Sequence, residues 1–197
     1  MALLDTTAEW GWPTKLLHWV TALAVIGMLG LGFSMVWLVA DLGARFRLYQ
    51  LHKSTGLLVL VLALVRLVWR SLNPVVPELP ATMPAWERTA ARLTHRGLYA
   101  FLLLLPLTGW LMTAVSPLGV PTVVFGLLTL PDPLPPDGRL EGVLQVAHAL
   151  LAVLLVLLLV LHVGGALRHH LVRRDDVLRR MLPRLRRRSP AAPEVSR

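Results

Sequence analysis

His148 and His162 stand fourteen residues apart inside a charge-free apolar run of 25 residues, Val143 to Leu167. At about 3.6 residues per turn, fourteen steps fall about 40° short of four whole turns, so both imidazoles leave the same face of one helix. Along the axis they are separated by about 21 Å. Imidazole is a metal ligand, so one helix offers two ligand positions at two depths.

The run that carries them exceeds the roughly 20 residues needed to cross a hydrocarbon core, so it predicts a membrane span. Composition agrees: hydrophobic residues make up 55% of the chain and charged residues 16%, a balance too apolar for a soluble domain of 197 residues. A first span is expected over about 16–40, entered through Trp10, Trp12 and Trp19 with Pro13 just ahead of it. The second runs over about 51–69, with Lys53 and Arg66 near its ends where long side chains snorkel to headgroups. Asn73-Pro74, Pro77, Pro80 and Pro84 then break the helix. A third span covers about 96–116, bending at Pro106, and a fourth about 143–167. The apolar stretch Pro117 to Leu130 is too short to span and rich in Pro and Gly, which predicts an interfacial or re-entrant segment resting on the bundle. The expected fold class is all-α, an integral membrane four-helix bundle. It forms a single domain over 1–182, followed by a flexible basic tail at 183–197.

Ten of the twenty Lys and Arg residues follow Gly165, and no aromatic residue interleaves the arginines from Arg168 to Arg188. A basic flank of that kind marks the cytoplasmic side of a membrane helix, and it lacks the stacking platforms of a nucleic-acid surface. Sixteen basic residues fall on the side of the termini against four, Arg45, Arg47, Lys53 and Arg139, on the other. Both termini are therefore expected in the cytoplasm. The first run lacks a basic cap and a small-residue cleavage site, so it reads as a retained helix rather than a signal peptide. There are no cysteines, which excludes disulfides, iron–sulfur clusters, thiolate metal sites and Cys-linked haem.

Alternating span directions give each histidine a depth: His18 and His162 near the cytoplasmic face, His52 and His148 near the external one. A flat tetrapyrrole takes one axial ligand above and one below its iron, so two pairs at matched depths predict two b-type haems. A solitary membrane histidine can instead bond a carbonyl or line a polar cavity. Zinc would need further ligands, and no Cys, Asp or Glu is expected inside the spans. Gly27, Gly30, Gly32, Gly56, Gly164 and Gly165 could let a macrocycle lie against backbone, or simply bring helices close.

The segments LHKSTG at His52, HRGLYAFLLLLPLTGW from His95, the AH and LH pair at His148 and His162, and the exit RHHLVRRDDVLRRMLP resemble the bacterial cytochrome b561 family of di-haem membrane proteins. The resemblance covers Trp12 to about Pro183. It implies a four-helix bundle with bis-histidine haem b on each side, passing electrons to or from quinone. It also carries the ligand role onto His18, His52, His148 and His162. The cytochrome b anchor subunits of hydrogenases and formate dehydrogenases are similar in haem ligation and form the alternative, while a haem-free transport protein is the third reading.

The resulting expectation is an oxidoreductase acting at haem edges. It exchanges electrons between membrane ubiquinone and an external small-molecule donor such as superoxide, or a protein donor, with the lipid bilayer as its surroundings and a homodimer among the assemblies open to it. Lys53, with Arg45, Arg47 and Arg139 in flanking loops, could pair with haem propionates, stay solvated or draw in an anionic donor. His95, at the depth of His18, could contact a quinone carbonyl or a propionate, or be an ordinary interfacial residue. His169 and His170 are expected against headgroups or propionates. Asp175 and Asp176 are expected as solvated partners of Arg173, Arg174, Arg179 and Arg180.

Overall fold

A computed structural model describes residues 3–183. Four long helices dominate it: α1 (Trp12–Phe33), α2 (Leu42–Leu72), α3 (Ala85–Ala114) and α4 (Gly138–Arg168), with a short α5 (Val177–Met181) after them. π-Helical turns extend α1 through Leu38 and α4 through Arg173. Each of the four segments is long and apolar enough to cross a membrane.

The helices overrun the expected spans because hydropathy marks the part that suits hydrocarbon, whereas a helix continues until its end is capped. Asp41 caps α2 by accepting from the Ala44 amide, so α2 starts at Leu42 rather than near 51. Asp137 does the same for α4 through the Arg139 and Leu140 amides. Arg45 and Arg139 consequently lie on first helical turns and Arg47 on the second turn of α2, not in loops. Pro84 precedes α3, which starts eleven residues ahead of the expected 96 and runs through the buried Pro106 without interruption. The longer α3 brings Glu87 inside a span-length helix, against the expectation of acid-free spans.

The stretch after α3 is a β-hairpin, β1 (Thr122–Val124) paired antiparallel with β2 (Leu128–Leu130). Its tight turn is possible because Phe125 and Gly126 both take positive φ, +47° and +74°. The hairpin is fastened to the N-terminal half of α2. Ser54 Oγ donates to the Val123 carbonyl at 3.2 Å and accepts from the Phe125 amide at 2.9 Å. Lys53 Nζ donates to the Pro121 carbonyl at 3.0 Å, so it is a hairpin tether first, where propionate pairing or solvation was expected.

α3 lies between α2 and α4 and packs on both, and α1 packs on α2, around a core of Val25, Val59, Ala63, Leu102 and Leu155. Backbone contact of α4 with α1 and with α2 is sparse. Most of the remaining apolar side chains point outward, as a lipid-facing bundle requires: Leu150, Val153, Leu157 and Leu161 on α4 are all exposed.

Opposite the hairpin, the chain leaving α4 is stapled back onto the bundle. Glu87 Oε1 accepts from Arg168 at 2.6 Å and from Arg173 at 2.8 Å, and the carboxylate is 6% exposed. His169 is buried and bonds Asp175 through Nδ1, with Nε2 facing Glu87 Oε2 at 3.8 Å. This corrects three expectations: His169 is not at the headgroups, Arg173 serves Glu87, and Asp175 serves His169. Desolvation explains the exchange, since the buried Glu87 and the half-buried Asp175 must be matched by nearby donors before exposed arginines compete. Asp176 does pair with an exposed arginine, Arg179, at 3.6 Å. Arg174, in the left-handed region at φ 54°, turns the chain so that α5 reaches α1, where Trp19 Nε1 donates to the Met181 carbonyl at 2.9 Å. Apart from Pro183, the expected tail lies outside the described residues.

Glu87→Gln should lower stability, by less than breaking a fully buried pair would, because Arg168 remains half exposed. Thermal unfolding in detergent checks this: the variant should melt lower, and an unchanged transition would deny the staple any role in stability.

Candidate functional site

Four helices carry five of the seven histidines, and the bundle sorts these five into two layers. His52 of α2 faces His148 of α4 with ring centres 6.3 Å apart, at the hairpin end. His18 of α1 faces His162 of α4 at 6.0 Å, at the α5 end, and His95 of α3 stands edge-on to His162 at 5.2 Å. His169 and His170 lie beyond, in the π-helical turn that follows α4.

The fourteen-residue interval on α4 recurs on every long helix: His18 to Gly32 on α1, His52 to Arg66 on α2, His95 to Gly109 on α3. The bundle therefore has two cross-sections about 21 Å apart. The hairpin-side layer holds Gly32, His52, Gly109 and His148; the α5-side layer holds His18, Arg66, His95 and His162. Both glycines of the first layer back directly onto imidazoles. A Cβ on Gly32 would stand 3.4 Å from His52 Cε1, and one on Gly109 would stand 3.2 Å from His148 Cε1. The other small residues divide: Gly56 packs on Met28, whereas Gly27, Gly30, Gly164 and Gly165 face open space.

Hydrogen bonding fixes which ring nitrogen is free. The single proton of the Thr108 hydroxyl goes to the carbonyls of Leu104 at 2.9 Å and Leu105 at 3.0 Å. Its oxygen therefore accepts from His148 Nδ1 at 3.1 Å, which leaves His148 Nε2 with a lone pair for a ligand. His95 Nδ1 donates to the Ala91 carbonyl at 2.8 Å, so a neutral His95 likewise presents Nε2 as an acceptor. His52 Nδ1 is buried with no partner, an uncompensated polar atom in an apolar bundle.

The Arg66 guanidinium lies over the Tyr99 ring, 5.2 Å from the centroid, and its charge acts on His18, His95 and His162. No carboxylate among the described residues pairs with it. Sequence reasoning placed Arg66 only near the end of its span and did not single out Glu87. The repeated fourteen-residue interval carried the signal for Arg66, while Glu87 had none because it lay ahead of the expected start of its span.

These layers fit a flat macrocycle bound through its metal. An imidazole nitrogen ligates at about 2 Å, so two rings flanking one metal have nitrogens about 4 Å apart and centres about 6 Å apart once ring radii are added, close to both separations found here. Sparse contact of α4 with α1 and α2 leaves width between the paired histidines. An apolar cleft of about 460 Å³ opens between Leu29 of α1 and Val156, Val160, Val163 and Gly164 of α4. Thr108→Val removes the bond that orients His148, and loss of such a partner typically weakens binding by about 10–100-fold. Haem titration of stripped protein should show that loss for one site only; equal affinity at both sites would count against the orienting role.

The family profile described as prokaryotic cytochrome b561 matches residues 9–184. The chain is 35% identical to "Cytochrome b561 homolog 2" of Escherichia coli K12 over 182 residues, 92% of this chain and 95% of that protein. It is 31% identical to "Cytochrome b561 homolog 1" of the same organism over 170 residues, 85% and 93% of the two chains. To the "Probable superoxide oxidase CybB" of Yersinia pestis it is 30% identical over 176 residues, 86% and 93% of the two chains.

Proposed function

Because the chain belongs to the prokaryotic cytochrome b561 family, bacterial membrane proteins that bind haem b and transfer electrons, we propose that it holds two haems b and links an external one-electron donor to membrane quinone. His52 with His148, and His18 with His162, are the axial ligands in this reading. The observation that carries it is the approach of four imidazoles in two pairs, at 6.3 and 6.0 Å between ring centres, in two layers of one bundle. Held by those four histidines, haem would supply reversible one-electron chemistry at both layers.

The chain's own residues do the rest. Gly32 and Gly109 let the hairpin-side imidazoles sit against backbone, and Thr108 holds the His148 tautomer. His95 Nε2 is an acceptor suited to a quinol hydroxyl at the α5-side layer. The distribution of basic residues supports a cytoplasmic position for that layer and for both termini. At the other end Arg45, Arg47 and Arg139 near the starts of α2 and α4, and Lys53 of α2 against the hairpin, give a cationic mouth that attracts anions. Superoxide suits this mouth, and the name of the Yersinia pestis relative supports it. Each superoxide gives up one electron and leaves as dioxygen, and two electrons with two protons convert a quinone to its quinol. In proteoliposomes loaded with ubiquinone, a superoxide source should yield quinol in the presence of the protein. Yields no higher than with haem-depleted His variants would overturn the proposal.

A further inference from the structure

The two layers are alike in their paired imidazoles and unlike in everything else. On α1 and α3 the hairpin-side layer has Gly32 and Gly109 where the α5-side layer has His18 and His95, and on α2 it has His52 where the α5-side layer has Arg66. Arg66 brings a permanent charge into the interior of the bundle, partly buried, held over Tyr99, with no carboxylate partner among the described residues. A cation in a medium of low dielectric disfavours any further gain of positive charge nearby. The oxidised state of an iron site is one charge more positive than the reduced state, so the same cation favours reduction.

We infer that Arg66 is the residue that makes the two sites electrically unequal: it raises the reduction potential of the site formed by His18 and His162 above that of the site formed by His52 and His148. The inference rests on the two-haem reading above. The only cation beside the hairpin-side ligands in sequence, Lys53, is tied to the Pro121 carbonyl in an exposed contact, where solvent and salt screen it. A single electron shared between the sites therefore resides mainly on the α5 side, with no proton or atom moved by that redistribution. Arg66 is a positioning residue for charge, not a ligand. Its helix spacing explains why it cannot be one: at the depth where α2 could present an imidazole, it presents a guanidinium, and α1 supplies His18 instead.

Potentiometric titration of the visible spectrum tests this in chains that keep one site each. His52→Ala retains the α5-side haem and His18→Ala the hairpin-side haem, and the former should titrate at the higher potential. Adding Arg66→Gln to His52→Ala should shift the ratio of reduced to oxidised haem at least tenfold toward oxidised, a fall of about 59 mV for one electron. Arg66→Lys should restore most of it, and Arg66→Gln in the His18→Ala chain should produce a much smaller shift. An unmoved midpoint in the His52→Ala chain, or equal shifts in both, overturns the inference. If the glutamine variant sheds its haem, the comparison of the two single-site chains decides alone, and an α5-side potential equal to or below the other overturns it. Haem is counted first in the unaltered chain. A count other than two overturns the underlying reading, whereas two haems with unmoved potentials overturn only the role of Arg66.

Discussion

His162→Ala is expected to leave one haem per chain and to reduce electron passage across proteoliposome membranes to the level of protein-free vesicles. His162 is the hub of the α5-side layer, with His18 at 6.0 Å on one side and His95 at 5.2 Å on another. Alanine leaves His18 as a single axial ligand in an apolar bundle, and a haem held by one side chain in detergent is lost on purification. His148 lies fourteen residues away on the same helix, about 21 Å along the axis, so its own site keeps its ligands and spectrum. The b-type absorbance per chain should therefore fall by half, not vanish, while transfer between the faces stops entirely. A variant retaining both haems would remove His162 from the ligand set.

Gly109→Leu is expected to eliminate the other haem without touching any ligand. A Cβ at position 109 would already stand 3.2 Å from His148 Cε1, tighter than ordinary contact, and leucine adds three further carbons where helix backbone and imidazole now meet. The ring must move or the helices must part, at an overpacking cost of about 1–3 kcal/mol. Either response takes His148 Nε2 out of line with His52. Gly109→Ala needs only a few tenths of an ångström of adjustment and should keep the haem at reduced affinity. Gly142→Leu, in open space on α4, is the control and should retain two haems. The haem-to-protein ratio after purification reads all three, and a leucine variant with two haems would mean that the backbone approach at His148 is incidental.

Much of this was legible from residue type and spacing. The charge-free run around His148 and His162 reveals a span, and alternating directions group His18 with His162 and His52 with His148, the same residues that face each other in the bundle. Long apolar helices are legible because the bilayer imposes one length and one composition on them. Helix ends are not, because they depend on caps such as Asp41 and Asp137 that hydropathy ignores. The hairpin at Thr122 to Leu130 was hidden for a related reason. Its strands are three residues each, too short for periodicity, and its partners are Lys53 and Ser54, nearly seventy residues earlier. The Glu87 staple joins residues more than eighty positions apart, and sequence order alone pairs Asp175 with adjacent arginines when the fold pairs it with His169.

Haem content of double variants tests the central claim most directly, because it asks whether the four histidines act as two pairs. His18→Ala with His162→Ala removes both ligands of one layer, so the chain should still purify with one haem. His148→Ala with His162→Ala removes one ligand from each layer, and that chain should carry none. A within-layer double variant without haem, or a cross-layer double variant that keeps one, would contradict the pairing of His18 with His162 and His52 with His148.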